Sequence, residues 1–226
     1  DGFARVMALL DGLHADGHAE VNAITTFTRG NLDEFAAFAD LFTDRATTWQ
    51  IQVANLGGSR FDRGQFLTRD DYHRLCALVA ACLRERGGRL RLRLMDDLGY
   101  FPRDPTFAFL HQCWQGCIAG RQLIGLRSDG TVLGCLALGP GHEEGSIRSR
   151  PLAAIWRDPA AFAGLRHKQL SGHCRDCVHA TACGAGCTAM AESTTGSSGC
   201  NAYCLHLEEE RAILAGLFPP AGQTPT

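Results

Sequence analysis

The sequence has 226 residues, and its 45% hydrophobic and 20% charged content is ordinary for a water-soluble globular protein. Its 22 basic and 24 acidic residues give a formal net charge of -2, which argues against nucleic acid or an anionic membrane as a partner. No run approaches the ~20 apolar residues needed to span a bilayer, and no signal-peptide pattern opens the chain, so we expect a cytoplasmic protein that binds no membrane.

The N-terminal region alternates helical and strand patterns. FARVMALLDGLHADG predicts an amphipathic helix that ends near Gly17. The segment EVNAITTF (residues 20–27) predicts a buried strand. Asn31 is the predicted N-cap of a second helix, with Glu34 completing a capping box. On the apolar face of the first helix we expect Phe3, Val6, Leu9, Leu10 and Leu13.

A second and a third strand follow with a long helix between them. TWQIQVAN (residues 48–55) predicts the second strand. Thr68 is the predicted N-cap of a helix that runs to about Arg86, with acidic residues in its first turn, Asp70 and Asp71. RLRLRLM then alternates polar and apolar residues, as a strand with one exposed face does. Two small apolar positions of the long helix are cysteines that we expect in the core, Cys76 and Cys82.

Helices that alternate with strands predict right-handed crossovers and a parallel sheet, and therefore an α/β fold. Three helix–strand units do not close a barrel, and three parallel strands leave an exposed edge. Asp1 and Gly2 precede a helix with no strand before it. We therefore expect the chain to start partway into a larger α/β domain.

The composition changes at about Pro102, where DDLGYFPRDPTF is rich in turn residues. We expect one domain over residues 1–101, a second over 102–218 and a flexible tail over 219–226. In the second domain QLIGLRSDGTVLGCL predicts a β-hairpin that turns at residues 128–130. PLAAIWRDPAAFAGLRHKQL predicts one or two short helices, and AYCLHLEEERAILAGL predicts a terminal amphipathic helix.

Cysteine is the unusual residue type, with 11 in the chain, most of them in its second half. Their spacing is Cys117-x12-Gly130-x4-Cys135, then Cys174-x2-Cys177-x5-Cys183-x3-Cys187, then Cys200 and Cys204. Thiolates are the normal protein ligands of iron–sulfur clusters. A CxxC pair lets two sulfurs from one tight turn reach the same metal centre, and the glycines between the last two close cysteines, Gly184 and Gly186, permit backbone angles that a side chain forbids.

Two other uses of these cysteines stay open at this point. A zinc ribbon needs a second CxxC or a close Cys/His pair, whereas this chain has C-x3-C and more cysteines than one tetrahedral site takes. A disulfide framework needs an oxidising compartment and is typical of small secreted scaffolds. Cluster binding in a reducing cytosol is the favoured interpretation.

The cysteine pattern resembles that of the SPASM domain, C-x(9–15)-G-x4-C, gap, C-x2-C-x5-C-x3-C, gap, C. GSIRSRPLAAIWRD also resembles the segment that joins the two cysteine groups in that family. The N-terminal region resembles, less specifically, the second half of a radical S-adenosylmethionine (SAM) partial (β/α)6 barrel. The matching segments are Asp1-Gly2, VNAITTFTRGNLDEF and WQIQVANLGG. The resemblance implies this half barrel followed by a small cysteine-rich SPASM domain with a β-hairpin and short helices.

The resemblance implies two auxiliary [4Fe–4S] clusters and a set of ligands for each. The ligands it implies for auxiliary cluster I are Cys117, Cys135 and Cys187, with Cys113 as the fourth. The ligands it implies for auxiliary cluster II are Cys174, Cys177, Cys183 and Cys204, with Cys200 in reserve for the last position.

The resemblance also implies an activity that this chain does not carry alone. The C-x3-C-x2-C motif of the SAM-binding cluster is absent from the sequence, so the 226 residues should not cleave SAM by themselves. The intact enzyme is expected to bind SAM and a third [4Fe–4S] cluster, to take electrons from a reductant such as ferredoxin or flavodoxin, and to modify a ribosomally made peptide or protein. Leu136 stands where sulfatase-maturing members have an Asp, which argues against that activity. The stretch WQGCIAG…SDGTVLGCLAL around the hairpin resembles the peptide-crosslinking maturases instead.

Other candidate site residues have weaker support. Asn22, Thr25 and Gln52 are candidates for the SAM ribose or adenine pocket, or else they satisfy backbone groups at strand ends. Asp97, beside Asp96 after the last strand, is a candidate substrate base or part of a solvated turn. Three histidines near cysteines are candidate ligands or proton donors: His111, His173 and His179. A non-catalytic electron-transfer module and a structural zinc protein are the competing functional hypotheses.

Overall fold

The computed structural model describes residues 2–18, 20–43, 48–56, 61–95, 98–111, 114 and 116–217. The tail predicted at 219–226 lies outside the described residues. The chain forms two compact units, Asp1–Ala54 with Asp62–Leu98, and Asn55–Phe61 with Gly99–Thr226. No helix in the described ranges combines the length and the apolar character of a membrane span.

The first unit is built on a parallel sheet, as the alternating pattern predicts. Its elements are α1 (Gly2–Ala15), β1 (Asn22–Phe27), α2 (Phe35–Thr43), β2 (Thr48–Val53), α3 (Arg69–Arg86) and β3 (Arg91–Leu94), with 3₁₀ turns at Leu32–Glu34 and Arg63–Gln65. The strand order is β1-β2-β3, and both pairings are parallel, with Asn22 opposite Thr48 and Thr48 opposite Arg91. The predicted α/β fold is confirmed.

An aromatic cluster holds the sheet of this unit. Trp49 on β2 is fully buried, and its ring centroid lies 5.2 Å from that of Phe35 and 5.6 Å from that of Phe42. The ring of Phe27 on β1 is 6.3 Å from Trp49. Burying such rings removes 150–250 Å² each from water, which is roughly the largest contribution a single side chain makes to a core. The helix-facing side of the sheet is therefore the core of the unit.

The burial predicted for β1 is wrong, and the apolar face of α1 is largely exposed. β1 alternates exposed and buried residues, and Ile24 is 56% exposed, because only one face of the strand packs on helices. In α1 only Leu10 is buried, while Phe3, Val6 and Leu9 are exposed. The helix and strand themselves are confirmed, since periodicity reports which residues share a face but not whether that face is covered.

Helix starts show one correct and one wrong capping prediction. Thr68 caps α3 as expected, and Asp71 completes a capping box with it. Asn31 makes no side-chain cap. Its Oδ1 accepts from the backbone N–H of Thr28 at 2.8 Å and its Nδ2 donates to the carbonyl of Thr26 at 3.1 Å. The carboxamide is thereby used in the preceding turn. Further along α3, Cys76 and Cys82 are buried as predicted.

The second unit consists of short elements. They are a 3₁₀ turn at Pro105–His111, β4 (Gly125–Leu126), β5 (Thr131–Leu133), β6 (Glu143–Ser146), α4 (Leu152–Arg157), α5 (Ala163–Arg166), α6 (Gly172–Arg175), α7 (Ala180–Cys183), α8 (Thr188–Thr195) and α9 (Leu205–Leu217). The hairpin of β4 and β5, the short helices and the terminal helix agree with the sequence patterns. β6 pairs antiparallel with β5, and its EEGS sequence lacks the apolar alternation that would have predicted it.

The hairpin and the short helices enclose a small apolar core. Gly130 makes the predicted turn with φ +90°, and its N–H donates to the carbonyl of Arg127 at 2.9 Å. Fully buried members of the core are Val132, Ile155 and Phe162. Three cysteines pack against this core from its edge: Cys117, Cys135 and Cys187.

Candidate metal centre

Four cysteines line one cavity of the second unit. Cys174 belongs to α6, Cys177 follows that helix, Cys183 ends α7, and Cys204 precedes α9. Apolar and polar side chains also line the cavity, among them Ala180, Ala185, Leu207, His206 and Glu210. The fold therefore collects thiols that are separated by up to 30 residues of sequence around one small space.

Burial governs the thiol chemistry at this cavity. It raises the pKa of Cys174 to about 11 and of Cys204 to about 12, and it raises the pKa of Cys183 as well. Backbone N–H groups act in the opposite direction, from Asn201 on Cys174 and from Leu207 on Cys204. A bound cation favours the thiolate, so metal binding releases protons here.

The spacing of the sulfurs can be compared with that of the ligands on a single zinc ion. Two thiolates on one zinc ion lie at most about twice the 2.3 Å Zn–S bond apart, which is about 4.6 Å. Among the described residues, just one group of three His, Cys, Asp or Glu ligand atoms lies within 4.8 Å of one another, and it is not drawn from these four cysteines alone. No three of the four cavity sulfurs therefore lie within 4.8 Å of one another, which is a wider spacing than that of the ligands on one zinc ion.

A buried histidine also lines this cavity. The side chain of His206 is 5% exposed, and its Nδ1 has no hydrogen-bond partner among the described residues. Its Nε2 lies 3.2 Å from Oε1 of Glu210. Buried polar atoms are normally hydrogen-bonded, so an unpartnered nitrogen beside four thiols fits a site that a further group completes.

A second set of cysteines lies at the edge of the apolar core. Cys117, Cys135 and Cys187 all contact that core and are half-buried. The Sγ of Cys135 accepts from the backbone N–H of Ala137 at 3.5 Å, and the N–H of Cys187 donates to the hydroxyl of Tyr100 at 3.0 Å. Cys113 lies outside the described residues, so its place beside this set stays a prediction.

One tight loop joins the two sets. Cys183 and Cys187 bracket Gly184, Ala185 and Gly186, which all have positive φ, of +59°, +59° and +63°. A Cβ on Gly186 would come within 2.5 Å of the ring of Tyr100. The glycines therefore serve two needs, left-handed backbone and close approach of an aromatic ring.

Lys168 is a further site residue that the sequence did not indicate. Its Nζ donates to the carbonyl of Gly184 at 2.7 Å and to that of Gly186 at 3.4 Å. Burial lowers the pKa of Lys168, while the Cys117 and Cys187 thiols oppose that shift. The ammonium group thus fixes the joining loop and places positive charge beside both cysteine sets. No periodicity or spacing marks this residue, because the contact is a tertiary one.

Of the remaining histidine and cysteine candidates, His173 lines the four-cysteine cavity. Its Nδ1 is 3.4 Å from the Sγ of Cys200. Cys200 itself is not among the lining residues, whereas Cys204 is. His179 stacks on Phe101 with ring centroids 4.6 Å apart, and burial lowers its pKa. The side chain of His111 is not among the described ones.

The candidates for SAM binding lie in the first unit, on two faces of the sheet. Asn22 donates to Oε1 of Gln50 at 3.1 Å, and Gln52 donates to Oγ1 of Thr26 at 2.7 Å, both on the face away from the core. Thr25 is buried on the opposite face, where its Oγ1 accepts from Trp49 Nε1 at 2.9 Å. Thr25 therefore does not share a pocket with the other two, for which SAM binding stays a prediction. Asp97 and Asp96 lie outside the described residues.

Comparison with known proteins agrees with this geometry. A family model described as SPASM, an iron–sulfur cluster-binding domain, matches residues 117–178. Two solved structures of anSMEcpe with bound AdoMet share the fold: a polyhistidine-tagged form with TM-score 0.57 and the native form with TM-score 0.56, each 16% identical. Each comparison covers 88% of this chain, and 52% and 55% of the two solved chains, respectively. No curated protein matches the sequence significantly.

The chain thus spans about half the length of the solved chains it resembles. At 16% identity that likeness establishes the fold alone. The chain thus shares the fold of these two solved chains, and residues 117–178 match the SPASM iron–sulfur cluster-binding domain.

Proposed function

We propose that this chain is the C-terminal part of a radical SAM/SPASM maturase and that it binds two auxiliary [4Fe–4S] clusters. The observation that carries the proposal is the division of the cysteines into two sets joined by the 183–187 loop. One set surrounds the cavity of Cys174, Cys177, Cys183 and Cys204. The other set packs on the hairpin core, and Cys113 is its proposed fourth member.

Each set would hold one cluster through its thiolates. When bound, the clusters supply one-electron transfer during the modification of the substrate. The protein's own part is to exclude water and to tune the sites. Backbone N–H groups donate to Sγ of Cys135 and Cys177 at 3.5 and 3.4 Å, and the Lys168 ammonium offsets part of the negative charge. Both effects stabilise a more reduced cluster, since hydrogen bonds and net charge set its potential.

The substrate is proposed to be a ribosomally made peptide or protein that receives a crosslink or a similar radical modification. Support comes from the resemblance of the hairpin region to peptide-crosslinking maturases. Leu136, which stands in place of the Asp of sulfatase-maturing members, is 64% exposed and offers no base. The intact enzyme would also bind SAM and a third [4Fe–4S] cluster, with ferredoxin or flavodoxin as reductant in the cytoplasm.

Metal analysis of the reconstituted chain tests the cluster proposal. After anaerobic reconstitution with iron and sulfide we expect about eight irons per chain, four for each [4Fe–4S] cluster. Cys204→Ser should lower the count to about four, because it removes a ligand of one cluster. Cys76→Ser is the matched control, since that thiol is buried in α3, and it should retain the full count. Zinc without sulfide would contradict the proposal.

A non-catalytic electron-transfer module is the second candidate, and it would use the same two cysteine sets. The native gene distinguishes the two. A C-x3-C-x2-C motif encoded upstream, together with formation of 5′-deoxyadenosine from SAM by the gene product, supports the maturase. A native product without the motif, which carries both clusters and leaves SAM intact, supports the module.

A further inference from the structure

Three metal-ligating side chains, of which Cys174 alone belongs to the two cysteine sets, converge on one point. His173 and Cys174 lie on α6, and Cys200 lies in the segment that follows α8. The Nδ1 of His173 is 3.4 Å from the Sγ of Cys200, and the three ligand atoms all lie within 4.8 Å of one another. No other group of three is as close among the described residues.

The hydrogen bonding of His173 leaves its Nδ1 available to bind a metal. Its Nε2 is 3.0 Å from the backbone carbonyl oxygen of Asn201. A carbonyl oxygen only accepts, so Nε2 carries the proton and donates it. In the neutral ring Nδ1 then bears the lone pair, and this is the atom that faces Cys200. A second ring nitrogen bound to a backbone carbonyl is the usual arrangement of a metal-ligating histidine.

The backbone fixes the two segments against each other. The N–H of Ser171 donates to the carbonyl of Gly199 at 2.9 Å, and Thr195 Oγ1 donates to the carbonyl of Cys200 at 2.8 Å. Gly172 has φ +52°, and a Cβ there would come within 2.9 Å of the Cys200 sulfur. A glycine at 172 therefore lets the thiol approach His173. The three ligands are held close together before any ion binds.

We propose that His173 Nδ1, Cys174 Sγ and Cys200 Sγ form a mononuclear site for a thiophilic divalent cation of the zinc type. Zn–N bonds of about 2.0–2.1 Å and Zn–S bonds of about 2.3 Å in a tetrahedron place N and S about 3.5 Å apart. The 3.4 Å between His173 and Cys200 matches that edge. The two thiols bind as thiolates and release two protons, and water takes the fourth position.

The proposed site overlaps the four-cysteine cavity through Cys174 alone. If that cavity holds a cluster, the ion and the cluster compete for this one thiolate. The site then acts during assembly, holding Cys174 until iron and sulfide displace the ion. This second step rests on the proposed function, whereas the binding of the single ion does not.

Co²⁺ titration of the full 226-residue chain, freed of metal and kept reduced, tests the site, since the visible and near-ultraviolet bands of Co²⁺ report tetrahedral thiolate ligation. We expect one tight Co²⁺ per chain, displaced by Zn²⁺. Cys200→Ser and His173→Ala should each weaken binding more than about a hundredfold, since even an outer-shell partner is worth roughly 10–100-fold. Cys177→Ser is the matched control and should bind Co²⁺ as the parent does.

Two results of the Co²⁺ titration would contradict the proposed site. If Cys177→Ser weakens binding while Cys200→Ser does not, the ion sits among the four cavity cysteines and the proposal is wrong. Absence of stoichiometric Co²⁺ binding by the parent also overturns it. Far-UV circular dichroism identifies a variant that has unfolded, and Gly172→Ala, which keeps all three ligands but displaces Cys200, should then show an intermediate loss.

A separate measurement addresses the competition. Zn²⁺-loaded parent should reconstitute auxiliary cluster II more slowly than metal-free parent, and Cys200→Ser should show no such delay. If auxiliary cluster II reconstitutes at the same rate in the Zn²⁺-loaded and the metal-free parent, the proposed assembly step is wrong. The single-ion site is then judged by the Co²⁺ titration alone. Failure of any cluster to form overturns the proposed function instead.

Discussion

The two units of the chain are stabilised in different ways. In the first, strands of four to six residues and helices of up to 18 bury an aromatic cluster around Trp49. In the second, β4 has two residues, and α5, α6 and α7 have four each. Isolated helices of this length are unstable in water because nucleation is costly. The second unit therefore depends on its small core and on its glycine-rich loops, and the proposed clusters would add ligation by its cysteines.

Trp49→Ala should cause the largest loss in the free energy of unfolding, and it tests whether the aromatic cluster stabilises the first unit. Truncating a fully buried tryptophan costs about 3–5 kcal/mol. Urea denaturation followed by circular dichroism measures the loss. Trp156→Ala is the control, because that ring is half-buried in the second unit beside Arg166, and we expect a smaller cost. Equal costs would mean that the aromatic cluster is not the main support of the sheet.

Gly186→Ala should destabilise the second unit at the loop between the two cysteine sets. The added methyl meets the Tyr100 ring at 2.5 Å and stands on a residue with φ +63°. Left-handed strain costs about 1–2 kcal/mol, and overpacking adds about 1–3. Gly184→Ala is the matched control: its φ is +59° but nothing lies within 4 Å, so only the strain remains. Thermal unfolding with iron analysis compares them, and identical losses would exclude a role for the Tyr100 contact.

Thr68→Ala tests how far local sequence signals stabilise the first unit. The hydroxyl of Thr68 accepts from the Asp71 N–H at 3.1 Å and donates to its carboxylate at 2.8 Å. Loss of such a cap costs about 1 kcal/mol. Thr68→Ser keeps the oxygen and should be nearly neutral by the same denaturation measurement. A serine variant as unstable as alanine would show that the methyl group, not the cap, matters.

The pH dependence of Asp71 is the smallest expected effect. The Thr68 N–H donates to the Asp71 carboxylate and holds its pKa below the ordinary value, with help from Arg29 and Arg74. The ionised group therefore stabilises the fold above its unfolded pKa, and this contribution is lost as pH falls through the lower folded pKa. Solvent screening keeps it small. Unfolding curves of the parent and Asp71→Asn between about pH 2 and 5 should converge on acidification. A constant difference would exclude this linkage.

The sequence predicted the elements of the first unit better than their burial. Periodicity located α1, β1 and the parallel sheet, because side-chain repeats are local properties. It did not foresee that Ile24 would be exposed, since burial of a face depends on which elements pack on it. The Asn31 cap failed for a related reason: Thr26 and Thr28 compete for the same carboxamide, and only the folded turn brings them together.

Cysteine spacing by itself favoured a metal or cluster site and indicated which thiols to examine, because thiolates are the normal protein ligands of such centres. The tertiary structure decided what spacing leaves open. It put Cys204 on the four-cysteine cavity, set Cys200 against His173, and brought Lys168 to the carbonyls of the joining loop. These contacts join residues far apart in sequence. Their distances depend on how short helices and positive-φ glycines turn the backbone, which no local pattern specifies.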